Sequence, residues 1–147
     1  MNRFKHLARA AERAARPGAA AAVLCALAGG AALADGDYPT EHSGLAVEQL
    51  GAVPAESMEA QVGMGEHILL LRRITIEPGG QIARHSAEAT PGVVYMESGA
   101  WTEGREGGET VHEAGTTFIE DADTVHWFFN RGDEPASALV CDIKPAA

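Results

Sequence analysis

The chain has 147 residues, of which 46% are hydrophobic, and a formal net charge of −10 at pH 7. A surface this acidic repels nucleic acid and anionic lipid, so neither is an expected partner. The length is enough for one compact domain.

The first 34 residues have the three parts of a secretory signal peptide. Five Lys or Arg precede an uncharged apolar run over 18–34, which ends on the small-x-small sequence Ala32-Leu33-Ala34. Gly29-Gly30 interrupts the run, and it is shorter than the roughly 20 residues that a membrane-spanning helix needs. We therefore predict cleavage after Ala34, export to the periplasm or the extracellular space, and no membrane anchor after cleavage.

The chain that remains after cleavage, residues 35–147, is more acidic still. It carries 6 Lys or Arg against 20 Asp or Glu, a net charge of −14, and the acids are dispersed among apolar residues. This dispersal predicts a solvated acidic surface on a folded domain. Cys25 leaves with the signal peptide, so Cys141 cannot form an internal disulfide and is expected to be a small buried apolar residue.

Short apolar or alternating runs, separated by Gly, Pro, Asn and Asp, dominate the rest of the chain. Residues 35–64 form an N-terminal segment in which 45–50 is a candidate edge strand and 56–65 is predicted to be loop. A turn over 77–81 and a polar loop over 103–109 separate strands in the part that follows. Seven strands are predicted there, over 67–76, 92–97, 98–102, 109–115, 116–120, 124–129 and 136–143. The pattern predicts an all-β fold, a single-domain antiparallel β-barrel or jelly roll over 65–147.

Two of the five histidines after the signal peptide have a distinctive setting. His85 and His126 each follow turn residues and lead into an apolar strand. Antiparallel strands can bring both imidazoles into one barrel interior. His42 is expected to be exposed, and His67 and His112 are expected to be ordinary strand residues.

The glycines around these histidines resemble the two motifs of the cupin family. The first motif, G-x5-H-x-H-x(3,4)-E-x6-G, matches at Gly79, His85 and Gly99. The second, G-x5-P-x-G-x2-H-x3-N, matches at Gly115, His126 and Asn130. The resemblance covers about 65–143 and implies the barrel fold with a small-molecule site inside it. Cupins are often dimeric, and an exposed sheet edge needs covering, so a homodimer is compatible with this resemblance.

Several motif positions depart from the family. Two histidines, a glutamate and a third histidine usually hold one divalent metal in cupins. Here Ala87 stands at the second histidine and Gly92 at the glutamate, while Asp121 and Asp123 replace the Pro and Gly of the second motif. Two imidazoles alone bind a divalent ion weakly, because proteins usually supply three or four ligands.

Glu120, six residues before His126, is the best candidate for a missing ligand. Two histidines and one carboxylate form the facial triad of non-haem Fe(II) oxygenases. Side chains alternate along a strand, so at most one of Glu120 and Asp121 points into the barrel. In an acid-rich protein, a carboxylate near a histidine is also compatible with plain surface charge. Weaker candidates for the site are Glu88, Asn130 and Trp127.

Two functions are compatible with these residues. In the first, an exported cupin binds a small molecule in its barrel, with or without one divalent metal such as Fe, Mn or Zn. In the second, the protein is a metal-dependent oxygenase that uses a two-His-one-carboxylate site. The departures at 87 and 92 favour the first.

Overall fold

The computed structural model describes residues 38–146. The predicted signal peptide over 1–34 lies outside the described residues. Within them, no helix is long and apolar enough to cross a membrane.

Eight strands and one short helix make up the described part of the chain. The strands are β1 (Ser43–Val53), β2 (His67–Ser86), β3 (Gly92–Ser98), β4 (Ala100–Arg105), β5 (Gly108–Glu113), β6 (Thr117–Glu120), β7 (Val125–Phe129) and β8 (Ala136–Pro145). Helix α1 (Ala55–Val62) lies between β1 and β2. The sheet order is β5-β4-β7-β2-β8-β3-β6, with β1 paired to β2 and every pairing antiparallel. This nearly closed barrel confirms the predicted all-β class.

Strand β2 is longer than the sequence predicts. The predicted turn over 77–81 does not end it, and the strand continues to Ser86. Gly79 adopts a left-handed conformation with φ 72°, and its N–H donates to the carbonyl of Asn130, so the strand bends without ending. Before the bend β2 pairs with β8, and after it with β7. The bend therefore carries β2 between two parts of the sheet and places His85 opposite His126.

The N-terminal segment contains more regular structure than predicted. β1 extends beyond the candidate edge strand at both ends, and α1 replaces most of the loop predicted over 56–65. Glu, Ala, Met and Gln favour a helix, but eight residues are too few to show a helical period in the sequence. The helix ends at Gly63, whose left-handed backbone lets its N–H donate to the carbonyl of Glu59.

The core lies between the inward faces of the strands. Trp101 is 1% exposed, and its indole N–H donates to the carbonyl of Ala136 at 3.1 Å. The remaining core residues are aliphatic or aromatic: Ile74, Ile76, Ile82, Val94, Met96, Phe128, Ala136, Ala138 and Val140. Leu45 and Phe118 are partly buried and pack against this cluster.

An apolar row crosses the outer face of four strands. Ile119, Val93, Cys141 and Leu71 are register partners on β6, β3, β8 and β2. Ile119 is 62% exposed and Val93 is 50% exposed. Cys141 is half-buried on this outer face, so the prediction that it is a buried residue was wrong. Its neighbours Val140 and Asp142 take the inward positions, because side chains alternate along β8.

A side chain at residue 104 is expected to destabilise the fold. It pairs with Trp127 across β4 and β7, and a Cβ at residue 104 would overlap the indole ring, which is 5% exposed. We expect Gly104→Ala to lower the free energy of unfolding by about 2 kcal/mol, measured by urea denaturation. The matched control is Gly51→Ala, because Gly51 is a strand glycine with nothing within 4 Å of its added Cβ. Equal losses in the two variants would contradict the close packing at Gly104.

Candidate metal centre

Three side chains from three strands converge at one point inside the barrel. His126 Nε2 lies 3.1 Å from His85 Nε2 and 3.2 Å from Glu120 Oε1. One ligand atom from each of the three residues lies within 4.8 Å of the others. His126 is fully buried, and the other two side chains are half-buried. The structure therefore brings together the three residues that the sequence selects as candidate metal ligands.

Glu120 rather than Asp121 faces the barrel interior. Glu120 ends β6, two residues after the inward-facing Phe118. The Asp121 carboxylate instead closes the following turn, where it accepts hydrogen bonds from Thr124 Oγ1 at 2.8 Å and from the Asp123 N–H at 3.2 Å. The turn thus fixes which of the two acids reaches the histidines.

The hydrogen bonds of the two imidazoles determine where their protons lie. His126 Nδ1 is 2.7 Å from Glu103 Oε1, and His85 Nδ1 is 2.9 Å from the carbonyl of Ala83. An ionised carboxylate and a carbonyl only accept, so both Nδ1 atoms carry a proton. When the rings are neutral, each Nε2 presents a lone pair to the other and to the Glu120 carboxylate. Three Lewis bases at this separation require a positive charge among them, either a proton or a metal ion.

A buried carboxylate lies behind His126. Glu103 is 4% exposed, and besides His126 it binds His112 Nε2 at 2.9 Å and Arg105 Nε at 2.7 Å. Burial acts to raise the pKa of Glu103, but these hydrogen bonds outweigh it and lower the pKa to about 2. The sequence predicts residue 103 to lie in a polar loop, whereas it belongs to β4. Residue 103 lies two positions after Trp101, whose side chain points inward. Alternation along a strand could therefore have identified Glu103 as inward-facing.

The pKa values of the two histidines shift in opposite directions. Burial lowers the pKa of His85, and its hydrogen bond to Ala83 only partly offsets this. Burial also acts to lower the pKa of His126, but hydrogen bonds to Glu103 and Glu120 outweigh it and raise that pKa. In the metal-free protein, the proton at this site therefore resides preferentially on His126.

Glu103 and His126 together stabilise the metal-free protein most between about pH 4.5 and 6.5, their ordinary pKa values. The lowered pKa of Glu103 gives stability that is present above pH 4.5 and is lost as the pH falls toward 2. The raised pKa of His126 gives stability that is present below pH 6.5 and is lost as the pH rises through the raised value. Urea unfolding at pH values below, within and above this range measures both losses. Glu103→Gln should reduce the loss of unfolding free energy that occurs below pH 4.5. If that loss is unchanged in the variant, it does not come from Glu103.

The three residues adjoin a cavity of about 350 Å³, lined by His85 and Glu120 among others. Its wall is largely apolar, with Leu45, Val47, Ile74, Ile82, Trp101, Phe128 and Val140. Besides Glu120, the charged residues in the wall are Arg72, Asp142 and Lys144, none of which the sequence singled out. His42 is exposed as expected, but it also lines the cavity, and its Nδ1 accepts the N–H of Ala83 at 3.1 Å.

The three weaker candidates from the sequence lie outside this cluster. Glu88 is exposed, and its backbone N–H donates to Ser86 Oγ. Asn130 is buried, and its amide donates to the carbonyls of Ile76 and Glu134 at 2.8 Å, so it fastens the loop after β7 to β2. Trp127 packs on the opposite side of β7 from His126, near Tyr38.

A family model described as a cupin domain matches residues 72–142, the span that holds all three converging residues. Residues 72–142 form a cupin domain. The cupin resemblance of the glycine and histidine pattern is thereby confirmed.

Solved structures share the cupin fold at low sequence identity. A predicted oxalate decarboxylase from Thermotoga maritima matches with a TM-score of 0.55 and 17% identity, covering 77% of this chain and 98% of the other. KdgF from Halomonas sp. gives 0.53 and 18%, with 77% and 89% covered. The cupin domain of an XRE family transcriptional regulator from Enterobacter cloacae gives 0.52 and 15%, with 71% and 100% covered. These likenesses concern the fold alone, and no curated protein matches the chain.

Residues 87 and 92, where the cupin motif has metal ligands, both lie close to the candidate metal centre. Gly92 is the register partner of Glu120 on one side and of Asp142 on the other. A Cβ at residue 92 would lie 3.4 Å from Glu120 Oε2. The neighbouring strand β6 therefore supplies a carboxylate beside the position where the cupin motif has its glutamate. Ala87 lines the cavity, so the position of the second motif histidine also faces this space.

Proposed function

We propose that this cupin binds one divalent metal ion through His85, Glu120 and His126 and binds a small molecule in the adjoining cavity. Two imidazole nitrogens and one carboxylate oxygen are a donor set that suits Fe, Mn or Zn. When bound, the ion would supply Lewis-acid character at the cavity wall.

The observation that supports this proposal is the convergence of one ligand atom each from His85, Glu120 and His126. Glu103 and the carbonyl of Ala83 hold the Nδ1 protons of the two rings, so both Nε2 lone pairs face Glu120. Metal ligands must be deprotonated at the donor atom, and partners of this kind orient ligating imidazoles. The arrangement thus has the orientation that a metal site requires before any metal is added.

The test is the metal content and metal affinity of the purified protein. Elemental analysis after reconstitution with Fe(II), Mn(II) or Zn(II), together with titration calorimetry, should give one ion per chain. His85→Ala and Glu120→Gln should each abolish stoichiometric binding. Glu88→Gln is the matched control, because it removes an exposed carboxylate near His85 and should leave binding unchanged. A wild-type protein that takes up no ion would overturn the proposal.

A second candidate function is a non-haem iron oxygenase, favoured by the two-His-one-carboxylate composition of the cluster. Such an enzyme needs open positions on the iron for dioxygen. Nitric oxide added to the Fe(II) protein without air should then give the electron paramagnetic resonance signal of an iron–nitrosyl complex. Absence of that signal from a fully iron-loaded protein would exclude this candidate and leave the binding function.

We also propose that the protein is exported. The basic, apolar and small-residue segments over 1–34 support this proposal. N-terminal sequencing of the protein from its native host should begin at Asp35. A chain that retains Met1 in the cytoplasm would contradict it.

A further inference from the structure

Two polar atoms of the cavity wall are buried without a hydrogen-bond partner. Among the described residues, the buried side-chain atoms that lack one are Arg72 Nε, Asp142 Oδ1 and Trp127 Nε1. Arg72 and Asp142 line the cavity and pair with each other through Arg72 Nη2 and Asp142 Oδ2 at 2.5 Å. The pair therefore leaves one donor, Arg72 Nε, and one acceptor, Asp142 Oδ1, without a partner.

These open atoms belong to a charged pair that is largely removed from solvent. The side chain of Asp142 is 4% exposed, and that of Arg72 is 20% exposed. A buried donor or acceptor without a partner costs about 1–3 kcal/mol. A ligand recovers this free energy if it accepts a hydrogen bond from Arg72 Nε and donates one to Asp142 Oδ1. Such a ligand carries an acceptor oxygen and a hydroxyl group close together.

The pair lies next to the candidate metal centre. Gly92 is the register partner of both Glu120 and Asp142, and a Cβ at residue 92 would lie 3.0 Å from Asp142 Cβ and 3.4 Å from Glu120 Oε2. Because residue 92 has no side chain, nothing from β3 separates the two carboxylates. One small molecule can therefore reach both the pair and the centre.

The charged residues of the cavity wall indicate the sign of the charge on the ligand. Arg72 and Lys144 balance Glu120 and Asp142, so these four side chains sum to no net charge. A divalent ion at the centre adds two positive charges. The loaded cavity then attracts an anion, although the whole chain is acidic.

We propose that the Arg72–Asp142 pair makes the cavity selective for small hydroxy-carboxylates. The ligand carboxylate accepts from Arg72 Nε, and its neighbouring hydroxyl donates to Asp142 Oδ1. This inference rests on the proposed metal-dependent binding function and names the ligand class of that site.

The experiment compares two probes that differ by one hydroxyl group, lactate and propionate. Titration calorimetry on the zinc-loaded protein should show lactate binding at least about tenfold more tightly than propionate. Arg72→Met combined with Asp142→Ala removes both open atoms and both charges together, which avoids an unpaired buried charge. In this double variant lactate and propionate should bind with about equal affinity, while zinc binding stays stoichiometric.

Lys144→Met is the matched control, because it removes a cavity charge but neither open atom. It should weaken the binding of both probes equally and leave the ratio of their affinities unchanged. Failure of the wild-type protein to bind zinc would refute the metal site itself. A zinc-loaded wild-type protein with equal affinity for both probes, or affinity for neither, would overturn only the hydroxy-carboxylate selectivity. Loss of zinc in the double variant would overturn it too, because Asp142 would then act on the metal.

Discussion

Glu103→Gln is expected to weaken divalent metal binding about 10- to 100-fold, although residue 103 is not a candidate ligand. The Glu103 carboxylate accepts the Nδ1 proton of His126 and so directs the Nε2 lone pair toward His85 and Glu120. A glutamine keeps the shape of the side chain but loses the charge that makes His126 more basic. Its amide also donates, which opposes the hydrogen bonds from His112 and Arg105.

Titration calorimetry with Zn(II) or Mn(II) measures this loss of affinity. The same variant should lower the free energy of unfolding of the metal-free protein by about 3 kcal/mol, because it removes one partner from a buried charged network. Glu106→Gln is the matched control on the same hairpin, since its side chain is 82% exposed and contacts only Arg84 among the described ion pairs. Metal affinity that is unchanged in Glu103→Gln would show that the carboxylate does not orient His126.

Ala87→His is expected to tighten metal binding, on the order of 10- to 100-fold, by supplying a fourth ligand. Residue 87 lines the cavity, and its N–H donates to the carbonyl of Thr124, which holds this segment beside β7. A histidine there restores the second imidazole of the cupin motif, and the cavity of about 350 Å³ provides room for the ring.

The effect is measured by competition against a chelator and by the visible spectrum of the Co(II) protein, which reports the coordination number of the metal. The control is Ala89→His, which adds the same side chain at an exposed position two residues farther along the chain. Equal affinities in the two variants would mean that residue 87 does not face the metal. A thermal melt of each variant separates a loss of folding from a lack of coordination.

The turn residues and alternating runs were enough to predict the barrel and most of its strands. The motif spacing selected His85 and His126, the position six residues before His126 selected Glu120, and alternation implied that at most one of Glu120 and Asp121 points into the barrel. The sequence did not reveal Arg72, Glu103 or Asp142, because each reaches the site through pairing with a strand distant in the chain. In the same way, the carboxylate beside Gly92 comes from β6, and only the register between β3 and β6 shows it.

The length of β2 has a consequence for the dynamics of the barrel. This one strand forms ladders with β1, β7 and β8, so its separation from the sheet would divide the barrel into parts that no longer contact each other through these ladders. Local opening of β2 therefore requires nearly the whole fold to open. Hydrogen exchange of its paired amides should proceed at the free energy of global unfolding, whereas β5, at one end of the sheet order, should exchange through smaller openings.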